Sequence, residues 1–355
     1  MAAICFYLQI HQPFRLRKYT AFDSTHDYFL QQLTEQAYLP VTQILLEQIE
    51  KHHGRFRFAL SITGTALEIF EAHAPNVLQN LQALANSGGV ELLAETYHHS
   101  LAAIYSPTEF ADQVALHRTA IKRLFNQSPT TFRNTELIYS DAIADLVAQQ
   151  NFTTILAECS DPLLANRSAA FPYRTHNAGG GGNLTLLLRN PTLSNSITVQ
   201  AVSQIGGQLC NLFLPFESLT PSFLLEILRQ TEQSKFLLPS EIAAADSLQH
   251  SAGPLSIPQP TPWTANSNTL NSWLGNPMQQ NAATELYKFE SLIKQQNSPN
   301  LLNDWRRLTT SDHFLHMSTH PVSDTSYDAY INFMNILDNL RARLRSSSEP
   351  RSGGF

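Results

Sequence analysis

Residues 38–63 read YLPVTQILLEQIEKHHGRFRFALSIT, and two different periods meet inside that stretch. Leu39, Val41, Ile44, Leu45 and Ile49 recur at helical spacing and predict a helix over 38–51. Phe56, Phe58, Leu60 and Ile62 then alternate with other residues, which predicts a strand over 56–63. A helix followed directly by a buried strand is half of a β–α–β unit, so the question is whether the rhythm repeats.

It repeats in both directions. Ile4 to Ile10 is an apolar run bounded by polar residues and reads as a first strand. Ala66–Glu71 and Val77–Ala85 have helical spacing, with Pro75 between them, and Gly88 and Gly89 stop the second helix. Val90–Ala94 is the next strand, Glu109–Phe125 a helix, Thr131–Thr135 a short extended piece, Asp141–Gln150 a helix and Thr153–Ala157 a strand. Alternating elements of this kind predict an α/β fold with a parallel sheet and crossover helices, and the repeated order suits a barrel. Barrels of this class carry their chemistry at the C-terminal ends of the strands. His11, Glu95, Glu136 and Glu217 each stand at or just past a candidate strand end.

Residues 171–207, with Gly179–Gly182 in a row, read as an insertion or loop, and a polar linker follows Arg229 as far as Trp263. Leu270–Gln295 and Asp328–Leu344 are helical in pattern. The expected organisation is a barrel over 1–255, a helical region packed on it over 256–345, and a disordered tail over 346–355.

Composition narrows the function. The 43% hydrophobic fraction supports a sizeable core, and the formal net charge of −6 leaves no basic footprint for nucleic acid. The three cysteines, Cys5, Cys159 and Cys210, are too few and too far apart for a disulfide framework. The N-terminal apolar run has no basic leader and reads as a buried strand rather than a signal peptide, and no stretch approaches a membrane span, so a cytoplasmic location is expected. Charged residues make up only 15% of the chain, against roughly 25% in a typical soluble domain.

Four segments could carry chemistry. HQPFRLR (11–17) places His11 and Gln12 after the first strand. GVELLAETYHHSL (89–101) carries Glu91 and Glu95 beside His98 and His99, and carboxylates at the end of an apolar strand must be paired. FRNTELIYSD (132–141) carries Glu136 between a strand and a helix. TSDHFLHMSTH (310–320) carries Asp312, with His313, His316 and His320 at spacings that could share a helical face and bind zinc. No HExxH pattern accompanies them, and a loop lining a polar cleft is the preferred reading; no metal is assigned.

These segments, with SWLGNPMQ (272–279) and LTTSDHFLHMST (308–319), resemble in order the signature segments of glycoside hydrolase family 57, in its α-amylase branch. The resemblance runs from Ile4 to about Leu344. It implies a distorted (β/α)7 barrel followed by a C-terminal helical domain, retaining chemistry on α-1,4-glucans or malto-oligosaccharides, and no cofactor. It also implies that Glu136 is the nucleophile, and that His11, Gln12, Glu91, Glu95, His99, Asp312, His313, Trp263 and Trp273 contribute to substrate binding.

Retaining hydrolysis needs a second carboxyl group about 5–5.5 Å from the first. The resembling enzymes place that acid in a segment reading Phe-Met-Asp-Tyr-Glu-Thr-Phe-Gly-Glu-His, where this chain reads FLPFESLTPS (213–222) and has Pro215 at the Asp position. Residues 263–269, WTANSNT, are uncharged where the family carries a charged run. Glu217 follows two residues after Pro215 and would face the same side of a continued strand, displaced by about 6–7 Å. Three readings stay open: a weakly active or inactive α-amylase-like protein, an active α-glucan hydrolase or 4-α-glucanotransferase using a surrogate acid such as Glu217, and a non-catalytic α-glucan-binding or regulatory protein. A metal-dependent deacetylase-like barrel is suggested only by fold class and the His-rich segments.

Overall fold

The structure is a computed structural model that describes residues 3–16, 27–158, 164, 167–176, 184–190, 194, 208–245, 253–262, 269–318 and 324–348. Its strands are β1 (Ala3–Ile10), β2 (Phe58–Ile62), β3 (Val90–Leu92), β4 (Thr131–Arg133), β5 (Thr154–Ala157), β6 (Tyr173–Thr175), β7 (Thr185–Leu188), β8 (Leu209–Pro215) and β9 (Pro254–Leu255). One sheet has the order β3-β2-β1-β8 and the other β4-β5-β7-β6-β9. Apart from the antiparallel β6–β7 pair, the strands pair in parallel.

The two sheets join into a distorted (β/α)7 barrel. At one seam Ala94 bridges Phe132, with Ala94 N–H donating to the Thr131 carbonyl at 2.9 Å and Arg133 N–H donating to Ala94 at 2.8 Å. At the other seam, Asn190 N–H donates to the Asn211 carbonyl at 2.9 Å and Asn211 Nδ2 donates to the Leu188 carbonyl at 2.8 Å. Strands β1–β5, β7 and β8 thus form the circuit, and β6 with β9 flanks β7.

Strand parity sorts the core into layers. Cys5, Tyr7, Ala59, Leu156, Leu187, Leu209 and Phe213 fill the barrel interior as one cluster. Ile4, Phe6, Leu8, Phe58 and Leu60 face outward onto the helices Leu39–Lys51, Gly64–His73 and Pro75–Asn86. The helices start where short polar side chains satisfy free N–H groups: Thr63 accepts from Ala66, Ser106 from Glu109 and Ser140 from Ile143. Gly64 opens the first of these because a Cβ there would meet the Tyr97 ring at 2.3 Å.

The C-terminal helices pack against the outer faces of β4, β5 and β7 through Trp273, Leu286, Trp305, Phe314 and Phe333, in one continuous core. Glu109, fully buried on the helix Pro107–Phe125, accepts from Arg306 and pairs with Lys294, which fixes the helical region in register on the barrel. Among the described residues no helix is long and apolar enough to cross a membrane.

Several expectations are corrected in detail. The segment 171–207 contains β6 and the fully buried β7, so it is partly core and not only loop. The polar stretch after Arg229 contributes a parallel bridge from Phe236 to Ile4, a short helix Pro239–Ala244 and β9. The helix expected over 270–295 breaks into Asn271–Leu274, Pro277–Tyr287 and Glu290–Gln295, because Asn276 caps a new helix that opens on Pro277. The last helix runs Asp324–Ser348; the rest of the expected tail lies outside the described residues.

Candidate active site

Glu136 sits where β4 leaves the barrel, in a single tight turn, Thr135–Leu137. Its φ is 51° and that of Leu137 is 50°, a left-handed pair of non-glycine residues costing on the order of 1–3 kcal/mol each. The surroundings hold the turn in place. Leu137 N–H donates to Asn134 at 3.0 Å, Asn134 Nδ2 donates to Ile138 at 2.9 Å, and the Thr135 and Thr96 hydroxyls meet at 3.0 Å. Leu137 is locked into the barrel interior. The turn therefore aims the Glu136 carboxylate at the barrel mouth.

His99, also left-handed at φ 52°, bridges two carboxylates. Its Nε2 lies 3.0 Å from Glu136 Oε1 and its Nδ1 lies 3.2 Å from Glu95 Oε2. Glu95 is fixed in turn by Ser61, whose hydroxyl donates to Oε1 at 2.6 Å. Gln9 Nε2 approaches His99 Nδ1 at 3.4 Å. Burial alone would strip the charge from this imidazole, but the hydrogen bonds and charges of Glu136 and Glu95 more than offset it and hold His99 up to about 9. Burial likewise disfavours the Glu95 carboxylate, and His99, Arg133 and His117 overcome it and bring the group down to about 2. The Glu136 side chain is 19% exposed and that of Glu95 is 0% exposed, so only Glu136 can meet a ligand.

The His11 ring lies 4.2 Å, centroid to centroid, from that of His99. His11 Nε2 is 2.8 Å from Asp312 Oδ2 and Nδ1 is 3.1 Å from the Thr63 hydroxyl. Asp312 comes from the helical region, which is laid on the barrel mouth by the Ser100–Thr310 bridge and by Ser311 N–H donating to the His99 carbonyl at 2.9 Å. Burial works against the Asp312 carboxylate, but the adjacent His11 imidazole outweighs it and holds the group well below the usual range.

β8 ends at Pro215, which stands opposite Gln9 in register and has the inward parity of Phe213. The chain then turns through Phe216–Ser218, so Glu217 does not continue the strand as expected. Its Oε1 accepts from the His11 backbone N–H at 3.1 Å and from the Tyr38 hydroxyl at 2.8 Å. Gln12, buried, donates to the same Tyr38 oxygen at 2.8 Å. Tyr38 ends a π-helical turn, Thr34–Tyr38. Burial raises the Glu217 carboxyl, and the two donors only partly oppose it.

The structure thus brings together His11, Glu95, His99, Glu136 and Asp312, with Gln12 and Glu217 one layer behind them. It separates three residues grouped with them on sequence. Glu91 lies within β3, toward the other end of the barrel, four residues or about 13 Å along the chain from Glu95. There it accepts from Thr131 at 2.5 Å and from the Ser240 hydroxyl and backbone N–H at 2.8 and 3.0 Å. His313 faces backward into the helical region, donating to the Arg307 carbonyl at 3.1 Å, and burial pulls it down to about 4. Trp273 is buried in the barrel–helix core. Trp263 lies outside the described residues.

Sequence reasoning missed Gln9, Ser61, Tyr38 and Arg133. Arg133 is fully buried at the end of β4, its guanidinium 5.0 Å from the Phe213 ring. Burial pulls the group below its ordinary value, and the charges of Glu95 and Glu136 only partly oppose that. For two of them the available signal was a lone polar residue at an inward position of an apolar strand, as Gln9 and Ser61 are. Among the described residues no group of three or more His, Cys, Asp or Glu side chains is arranged to hold a metal ion.

A family model described as "Glycosyl hydrolase family 57" matches residues 5–202. The chain belongs to glycosyl hydrolase family 57. A Methanocaldococcus jannaschii protein described as "Putative alpha-amylase" is 27% identical over 398 residues, covering 94% of this chain and 83% of that protein. The 4-alpha-glucanotransferase from Thermococcus litoralis superposes with a TM-score of 0.77 at 12% identity, over 99% of this chain and 61% of its own. The chain therefore spans less than two thirds of that structure's length. The GH57-type branching enzyme from Pyrococcus horikoshii superposes with a TM-score of 0.74 at 12% identity, over 100% of this chain and 98% of that enzyme. At such identities the structural likeness shows the shared fold alone.

Proposed function

We propose that this family-57 chain recognises α-1,4-glucans or malto-oligosaccharides at the barrel mouth. In this reading Glu136 is a competent nucleophile, and Pro215 replaces the general acid, so unactivated substrates turn over slowly. The position of Pro215 carries the reading: it occupies the inward place at the end of β8, level with Gln9, and a proline ring can neither give nor take a proton. His99 Nε2 holds Glu136 Oε1 at 3.0 Å and so orients the carboxylate group for attack on an anomeric carbon. His11 and Asp312, beside His99, are the polar groups offered to sugar hydroxyls. The names of the relatives, an α-amylase, a glucanotransferase and a branching enzyme, support α-glucan as the substrate class. Loss of general acid catalysis costs ~10²–10⁴-fold in rate.

The test is calorimetric titration with maltoheptaose beside quantification of new reducing ends, with Glu136→Gln as control. Binding with little turnover in either protein is the expected result. Turnover at ordinary enzymatic rates, lost in the variant, would overturn the missing-acid reading and favour a surrogate acid. The raised affinity of Glu217 for its proton favours that second reading, whereas its commitment to His11 and Tyr38 opposes it.

A further inference from the structure

We propose that the barrel mouth is a glycosyl-transfer site for α-glucosyl donors whose leaving group departs as a stable anion, with no proton supplied by the protein. The proposal rests on the reading above and names the substrate class that such a site would accept.

Glu136 is reachable, aimed by its left-handed turn and held by His99 at 3.0 Å through Oε1, which leaves Oε2 for a substrate carbon. Glu95 is fully buried, with both oxygens engaged by Ser61 and His99. Asp312 is bound to His11 at 2.8 Å and is kept ionised, so it has no proton to give. Glu217 directs Oε1 at the His11 backbone and the Tyr38 hydroxyl. His99 holds a proton, but its two ring nitrogens face Glu136 and Glu95. Among the described residues, then, the groups beside Glu136 offer no free proton: His11 has both ring nitrogens engaged, by Asp312 and Thr63, and Glu217 stands behind it, turned through Oε1 to the His11 backbone and the Tyr38 hydroxyl.

Such a site distinguishes substrates by leaving group. An alkoxide leaving from a glucan needs a proton; fluoride or a phosphate-type anion does not. Glu136 Oε2 forms a bond to C1, the bond from C1 to the leaving group breaks, and its electron pair departs with the anion. The product is a glycosyl ester of inverted configuration at C1. Release by water requires a base to take a proton, and the group that would do so is also absent from Pro215. Release by an anionic acceptor such as azide requires none: azide bonds to C1, the ester bond breaks, and the Glu136 carboxylate is restored with net retention.

The experiment uses the full-length protein with α-maltosyl fluoride. The expected result is release of fluoride with a mass gain of one maltosyl unit on the Glu136 peptide, absent in Glu136→Gln. Azide is expected to discharge the adduct and yield α-maltosyl azide. If no adduct and no fluoride release appear while maltoheptaose still binds, the donor proposal is wrong and the glucan-binding reading stands. If neither occurs, both fall. An adduct that forms equally in Glu136→Gln would also overturn the proposal, because the nucleophile would then be another group.

Discussion

His99 Nε2 stands 3.0 Å from Glu136 Oε1, and this contact ties the turn after β4 to the loop after β3. The other ring nitrogen meets the fully buried Glu95, so one imidazole serves two carboxylates that would otherwise repel each other. The cluster is stable only while the ring carries its proton, and that has consequences for pH.

His99 is raised from 6.5 to about 9 in the folded chain. A group raised on folding contributes stability that is complete below its unfolded value and is lost as pH rises through the folded one. Glu95 is lowered from 4.5 to about 2, so its contribution is present above 4.5 and lost as pH falls toward 2. The two shifts share the His99–Glu95 contact and are not added, His99 drawing also on Glu136; the cluster is worth on the order of 3 kcal/mol. Denaturant unfolding should therefore give greatest stability between about pH 4.5 and 6.5, with decline on both sides. His99→Gln should flatten both limbs. An unchanged profile in the variant would show that the ring is not the charged centre of the cluster.

The barrel and its first strands were legible because strand and helix periods alternate so regularly from Ile4 to Ala157. β7 was not, since four residues, TLLL, beside a glycine-rich run carry no period of their own and become a strand only by pairing with β5. At the site, His11, Glu95, His99, Glu136 and Asp312 could be picked out because each stands near a strand end or in a polar segment. Glu91 misled because a spacing of four on a strand separates two carboxylates along the barrel axis, whereas on a helix it would bring them together. Trp273 misled because an aromatic residue reads alike in a core and in a sugar subsite. Tyr38 and Arg133 were invisible because their roles come from contacts far along the chain.

Glu217→Gln separates the surrogate-acid reading from a supporting role. The amide keeps an oxygen to accept from His11 N–H and Tyr38 O–H, so stability should fall by about 1 kcal/mol or less. Any measured turnover of malto-oligosaccharides should stay within a few-fold of the parent. A loss of ~10²-fold or more would make Glu217 the acid.

Glu91→Gln addresses the far end of the barrel. The parent carboxyl is buried and raised by that burial, although Thr131 and Ser240 oppose the shift. An amide of the same shape removes the charge that burial disfavours, at the cost of reorienting one donor. Stability at pH 7 should change by no more than about 1 kcal/mol, and maltoheptaose affinity should not change. A large fall in affinity without loss of stability would place Glu91 in the site after all.

Pro215→Asp asks whether the scaffold can regain the missing step. Pro215 has φ −61° and ψ 131°, which any L-residue adopts, and its position at the end of β8 gives an aspartate the inward parity of Phe213. The new carboxyl would stand level with Gln9, across the mouth from an already oriented Glu136. Hydrolysis of maltoheptaose should rise by ~10²–10⁴-fold over the parent, as restoring a general acid requires. Pro215→Asn, equal in size and without an acidic proton, should give no rise, and its unfolding curve checks that the strand end is intact. If the aspartate variant folds, binds glucan and gains no activity over the asparagine variant, more than one group has been lost from the mouth, and the uncharged segment 263–269 is the next place to restore charge.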